Sequence, residues 1–162
     1  MKPPKAVTLA MIGLILSVPP AAWWLIGDQT SQSLIAEGVE LDYAYRAVSL
    51  GTATDRVIGV LACTSVVSTL GMLLWATVTR RLRAGWWLVL LPLAAAGIAL
   101  SYAWRVSTIG VLGGNFGPGL AVLVGGPLIA GLITLAAVMA RRMPRTRMQS
   151  PDHSVSSRAP VV

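Results

Sequence analysis

The chain is poor in charged and chemically reactive side chains. Of its 162 residues only 12% are charged, and it has one cysteine and one histidine. A soluble domain is usually about one quarter charged, so this composition excludes an ordinary water-exposed surface. The lone cysteine, Cys63, excludes an intramolecular disulfide and a multi-cysteine metal cluster, and the lone His153 leaves a histidine metal site without further ligands. The sequence therefore predicts no metal and no cofactor.

In place of charge the chain has four long apolar runs, at 6–27, 57–79, 86–104 and 119–140. None of them contains Asp, Glu, Lys, Arg, His, Asn or Gln. A helix needs about 20 apolar residues to cross a bilayer, and in lipid it satisfies its own backbone hydrogen bonds. The runs predict an all-α fold, a transmembrane antiparallel four-helix bundle over residues 1–142. The remainder, 143–162, combines prolines, serines and scattered charge, which predicts a disordered basic tail.

Lysine and arginine are distributed unevenly between the two ends of these runs. Of the 13 cationic residues, ten flank one end and three, Arg46, Arg56 and Arg105, flank the other. Because cationic flanks favour the cytoplasm, both termini and the 80–85 turn are predicted to be cytoplasmic. The first run is longer than the apolar region of a signal peptide, so we expect it to remain as an anchor. The excess of arginine over lysine is typical of high-GC bacterial genomes, which predicts a bacterial plasma membrane.

Most of the cytoplasmic cations belong to one inner basic cluster, which consists of Arg80, Arg81, Arg83, Arg141, Arg142, Arg145 and Arg147. Cations near a membrane surface attract anionic lipid headgroups at about 1 kcal/mol each. Anionic lipid headgroups on the cytoplasmic side are therefore expected partners, and topology determination explains the same arginines equally well. Since the basic residues adjoin the apolar runs, the formal charge of +7 predicts membrane orientation and no nucleic-acid partner.

The segment 28–55 is the one sizeable loop predicted outside the membrane. Residues 39–46 alternate apolar and mostly polar side chains, which indicates a short strand, while a short amphipathic helix over 33–40 is an equal alternative. The loop offers a candidate outer interaction surface, or it packs against the top of the bundle. The residues of that candidate surface are Glu40, Asp42, Tyr43, Tyr45 and Arg46.

Four charged residues are predicted to share the outer level of the bundle. They form a candidate ion-pair cluster of Asp28, Asp55, Arg56 and Arg105. Such a cluster can hold helix ends in register, since a partly desolvated charge is costly to leave unmatched. It can also bind an anion or a substrate headgroup.

Small residues recur every four positions within the runs. Because lipid supplies little hydrophobic drive between helices, close helix approach depends on such residues. The rows predict the faces on which the helices pack, with one row left for self-association. They are Gly13, Ser17 and Ala21; Gly97 and Ser101; Gly117, Ala121 and Gly125; and Gly126, Ala130 and Thr134.

The runs supply no convergent titratable groups of the kind that catalysis needs, so we expect no enzyme activity. An ion-coupled carrier normally keeps an ionisable residue inside the membrane, and the four runs have none. A homo-oligomeric pore lined by Ser65, Ser68 and Thr69, or a lipid-binding transporter component, stays open as an alternative. The primary prediction is a non-catalytic accessory or assembly protein, partnered by another membrane protein or by a second copy.

The order of these features carries a resemblance. A short basic start precedes a run that ends in Trp-Trp-Leu-Ile-Gly-Asp (23–28), and an acidic loop with Asp-Tyr-Ala-Tyr-Arg (42–46) precedes three further runs. This order resembles that of small four-span integral membrane proteins of actinobacteria, over about residues 1–142. The resemblance is one of architecture. It implies a bacterial membrane location and no particular activity or ligand.

Overall fold

The computed structural model describes residues 4–27, 51–109 and 116–142, and three single residues of the outer loop, Ala36, Gly38 and Tyr45. Regular structure in this part of the chain is helical throughout. Helix α1 spans Lys5–Ile26, α2 spans Thr52–Val78, and α3 spans Trp87–Thr108 after a 3-10 turn at Ala84–Trp86. Helix α4 covers Gly117–Arg142 and includes one π-helical turn at Ala121–Gly125. The predicted four helices are confirmed.

All four helices are long and apolar enough to cross a membrane. They leave many large apolar side chains uncovered, Val78 at 81% exposure among them. Apolar surface on this scale would drive aggregation in water, and a bilayer is the solvent that removes that cost. The helices therefore fit a multi-pass membrane protein.

Two helices extend beyond the apolar runs that predicted them. Helix α2 begins at Thr52 rather than at residue 57, and so includes Asp55 and Arg56 in its first turns. Helix α3 continues past Trp104 to Thr108 and includes Arg105 in its last turn. Hydropathy detects the part of a helix that lies in hydrocarbon, whereas the backbone hydrogen bonds continue into the interface, where charged side chains are solvated.

The Pro19-Pro20 pair of the first apolar run predicts a kink or a break in α1, because proline lacks an amide hydrogen and crowds the preceding turn. The helix is not broken, since it continues from Lys5 to Ile26 through both prolines. Ser101 of α3 donates a hydrogen bond of 2.7 Å to the Pro19 carbonyl oxygen. This hydrogen bond connects α3 to α1 next to the proline pair, where α1 lacks two backbone donors.

The helices pack in the lateral order α2, α1, α3, α4. Helix α1 contacts both α2 and α3, and α4 packs on α3. Extensive contact between α2 and α4 is absent from the described residues, so these two helices flank a central pair. By these contacts, the four helices that the sequence predicted to form a bundle are arranged as a row.

The small-residue rows of α1 and α3 lie where helices meet. A methyl group added at Gly13 would come within 3.1 Å of Thr69 Cγ2, and Ser17 Oγ lies 2.8 Å from Ser65 Oγ. Contacts that advance along α1 retreat along α2, so these helices are antiparallel. Gly97 similarly faces Val18 and Pro19 of α1, and the prediction that small residues mark the packing faces is confirmed at these seams.

A buried apolar cluster joins the first turns of α1 to the turn between α2 and α3. It centres on Leu73, which is 0% exposed, and includes Val7, Ala76, Leu82 and Leu90. The cluster brings Lys5 and residues 79–83 to one end of the molecule, here termed the arginine end. The opposite end, where α1 stops and α2 begins, is termed the loop end.

Candidate functional site

The side chain of Arg105, on α3, binds to the backbone of α1 at the loop end. Its Nε and Nη2 donate hydrogen bonds of 3.1 and 3.0 Å to the Trp23 carbonyl oxygen. Its guanidinium also lies 4.5 Å from the centroid of the Trp23 ring. A cation near the carboxyl end of a helix interacts favourably with the helix dipole, and the planar guanidinium suits both the carbonyl and the ring.

The ion-pair cluster predicted at this end is described only in part. Asp55, half-buried, and Arg56, exposed, lie in the first turns of α2, while Asp28 lies outside the described residues. The association of the four residues stays a prediction. The contact of Arg105 with Trp23 was missed by sequence reasoning, which looked for a carboxylate partner. The signal available was the position of both residues at the same level of their respective runs.

Trp24 packs beside Trp23 at the loop end, against α2. The Cβ of any side chain at Gly59 would overlap the indole of Trp24, so the ring lies directly on the α2 backbone. The indole fills the gap between the two helices, and Gly59 is buried beneath it.

Several hydroxyl groups of the helices form hydrogen bonds within their own helix or with a neighbouring helix. Thr69 Oγ1 donates to the Ser65 carbonyl oxygen at 2.7 Å, and Ser65 Oγ pairs with Ser17. Of the three residues proposed to line a pore, two therefore belong to the α1–α2 seam, and Ser68 is exposed. A single copy thus presents no polar channel lined by all three residues.

The arginine end has a well-defined turn. Arg81 N donates to Ala76 O at 2.8 Å and Arg80 N donates to Thr77 O at 3.0 Å, the hydrogen-bond pair of a Schellman motif. Arg80 takes the left-handed conformation, with φ of 56°, where glycine is usual. Leu82, 2% exposed, anchors the turn in the core. Arg80, Arg81 and Arg83 are all exposed.

A second hydrogen bond connects the turn to the start of α3. Trp87 Nε1 donates to Thr77 Oγ1 at 3.0 Å, and Thr77 Oγ1 donates in turn to Leu73 O at 2.8 Å. The end of α2 and the start of α3, which flank the arginines in the chain, are thereby hydrogen-bonded to each other. These bonds hold the backbone segment that carries the cationic side chains.

The rest of the inner basic cluster lies on α4 and beyond. Arg141 and Arg142 are exposed in the last turn of α4, while Arg145 and Arg147 lie outside the described residues. In the outer loop only Tyr45 of the candidate interaction surface is described, at 60% exposure. Glu40, Asp42, Tyr43 and Arg46 lie outside the described residues, as do nearly all of the alternative strand and nearly all of the alternative helix.

Within the described residues, no group of three or more His, Cys, Asp or Glu side chains has the arrangement of a metal site. No family model, no curated protein and no solved structure matches the chain. The structure alone therefore defines the class, a multi-pass helical protein with four candidate membrane spans.

Proposed function

We propose that this protein is a non-catalytic accessory or assembly component of a bacterial plasma membrane, with both termini in the cytoplasm. The observation that carries the proposal is the incomplete packing of α4. Helix α4 contacts α3 on one side, and Ala136 is its one fully buried residue. A helix that is apolar from Gly117 to Ala140, with Thr134 the sole polar side chain, and that is covered along one side offers its remaining surface to a further transmembrane helix.

The uncovered surface of α4 includes the second small-residue row. Gly126, Ala130 and Thr134 recur every four residues and are all exposed. The first row is used differently, since a methyl group at Gly125 would lie 3.4 Å from Ala103 Cβ of α3. Gly125 and Gly126 are consecutive residues of the helix and point in directions about 100° apart, so the two rows occupy different sides of α4. Small residues on a lipid-exposed face support close approach of another helix.

Two glycines of α4 allow a matched test of this surface. A Cβ at either Gly126 or Gly131 meets open space, so the isolated protein should accommodate leucine at both positions. Gly126 belongs to the small-residue row, and Gly131 points to another side of the helix. We expect G126L to abolish co-purification of a stoichiometric membrane partner in mild detergent, and G131L to retain it.

The readout distinguishes the kinds of partner. Two differently tagged copies of this chain, expressed together, report self-association, and mass spectrometry of the purified complex identifies any other protein. Equal recovery with G126L and G131L would contradict the proposed use of this row. A lone oligomer that conducts ions in liposomes would overturn the accessory role in favour of the pore.

The outer loop provides a separate prediction. If Tyr43 and Tyr45 contribute to the candidate outer interaction surface, replacing both with alanine should weaken partner recovery and leave membrane insertion intact. Aromatic side chains contribute strongly to binding at interfaces, so we expect at least about a tenfold loss. Recovery equal to that of the unmodified chain would place the partner elsewhere. Insertion is checked by resistance of the protein to carbonate extraction.

A further inference from the structure

We propose that the arginine end of α2 binds one anionic phospholipid, with the phosphate held by Arg80 and Arg81 and one acyl chain lying over Gly71. The inference requires membrane insertion and is independent of any protein partner. It rests on three observations at the end of one helix: a group of arginines without a carboxylate partner among the described residues, an aromatic ring that contacts one of them, and an apolar notch beneath that ring.

The arginines have few carboxylates to pair with. Asp55 is the sole acidic residue in the described part of the chain, and it lies at the loop end, a helix length away from Arg80, Arg81 and Arg83. Charges that far apart are screened at physiological ionic strength. The complementary charge at the arginine end therefore comes from outside the described residues. At a membrane surface the abundant source is the lipid phosphate, which a guanidinium binds through paired hydrogen bonds.

Trp75 sets the position of Arg81. The Arg81 guanidinium carbon lies 5.2 Å from the centroid of the Trp75 ring, within the range of a cation–π contact. Trp75 is 58% exposed, so the pair lies on the exposed surface of α2 and not in the core. Tryptophan favours the level of the headgroups, and the stacked guanidinium is thereby placed where lipid phosphates lie.

The face of α2 below this pair suits an acyl chain. Gly71 precedes Trp75 by one helical turn, is exposed, and has no atom within 4 Å of the position where a Cβ would stand. The exposed side chains of Val67, Leu74 and Val78 surround it, at the spacing of a single helix face. Because Gly71 has no side chain, a shallow notch is left between Val67 and Leu74, one turn before Trp75.

The conformation of Arg80 supports a role for its side chain. A left-handed residue at this position of a Schellman motif is usually glycine, since a Cβ is unfavourable there. Arginine therefore costs stability that glycine would not. The charge it adds beside Arg81 provides a second guanidinium for the same phosphate.

Binding is measured by native mass spectrometry of the full-length protein in dodecyl maltoside, titrated with dioleoyl phosphatidylglycerol or dioleoyl phosphatidylcholine. We expect tighter binding of the phosphatidylglycerol, and an approximately thirtyfold loss of its affinity in R80Q/R81Q, corresponding to about fivefold per cation. The control is R56Q, which removes an exposed arginine at the opposite end of the same helix. An equal loss per removed cation in the two variants would overturn the site, since it would indicate unspecific charge attraction.

Two single variants separate binding from folding. R80G removes one cation and relieves the left-handed arginine, so we expect its resistance to detergent unfolding to be no lower than that of the unmodified chain, with about fivefold weaker phosphatidylglycerol binding. G71L fills the notch without a change of charge and should weaken binding about fourfold, the contribution of one buried methylene. Unchanged affinity in R80G, or in G71L, would contradict the respective half of the proposal.

Excess inorganic phosphate distinguishes a lipid from a free anion. Retained phosphatidylglycerol binding in its presence supports a site that recognises headgroup and chain together. Complete displacement by phosphate would assign the arginines to a soluble anion and overturn the lipid proposal. Because every measurement uses the isolated chain, failure of this site leaves the protein-partner test on α4 unaffected.

Discussion

Replacement of Gly59 by leucine is expected to destabilise the protein by about 3 kcal/mol, the upper part of the usual range for overpacking. The Cβ alone would overlap atoms near the base of the Trp24 indole, which cannot move aside by a change in a distant torsion. Either Trp24 leaves its place between α1 and α2, or the helices separate. Both outcomes lose the contact that joins the two helices at the loop end.

Gly71 provides the matched control on the same helix. A Cβ at Gly71 meets open space, so G71A gains helix propensity, worth up to about 1 kcal/mol, without a collision. G59A gains the same propensity and suffers the overlap with Trp24. We expect G59A to be much less stable than G71A when unfolding in dodecyl sulfate is monitored by far-UV circular dichroism. Coincident curves would show that the ring does not lie on Gly59.

A double variant tests the mechanism of this loss. Trp24→Ala removes the indole and should itself destabilise the protein, because it leaves a gap between the helices. With the ring absent, the leucine of G59L can occupy that gap. The two losses should therefore combine to less than their sum, by at least about 1 kcal/mol. Strict additivity would indicate that Gly59 is needed for some reason other than the Trp24 ring.

The second large effect is expected at Arg105. Arg105→Met keeps much of the side-chain volume and removes the hydrogen bonds to the Trp23 carbonyl oxygen. A hydrogen bond from a charged donor contributes about 1.5–3 kcal/mol, and loss of the contact with the Trp23 ring adds to this. We expect a total loss of about 3 kcal/mol in the same unfolding assay.

Lysine at position 105 distinguishes charge from geometry. Lysine retains the cation at the end of α1. It lacks the planar guanidinium, which donates two hydrogen bonds to one oxygen and stacks on an aromatic ring. We therefore expect R105K to fall between the unmodified chain and R105M. The control is Arg56→Met, at an exposed position of the loop end. If R105K matches the unmodified chain, the helix dipole and not the guanidinium geometry explains the contribution.

The parts of the fold that the sequence predicted well are those fixed by composition. Uncharged runs of about 20 residues admit few structures in lipid, so the number and approximate position of the helices followed directly. The spacing of Gly13 and Ser17 likewise indicated a packing face, because only small side chains allow helices to approach closely. Both features are local, and both are read from a single segment of chain.

The features that the sequence did not predict involve contacts between segments. The lateral order of the helices depends on which faces fit together, and regularly spaced small residues on every run left several orders open. The contact of Arg105 with a backbone carbonyl and an aromatic ring was not predicted, because charge alone points to carboxylate partners. The Schellman turn at Arg80 was hidden because its position is usually occupied by glycine.

The central place of α1 has a consequence for biogenesis. Of the four helices, α1 is synthesised before the others, and both α2 and α3 dock directly on it. Helix α4 follows α3 in the chain and docks on it. Each of the later three helices therefore docks on a helix that precedes it in the chain, and none has to wait for a later one of the four.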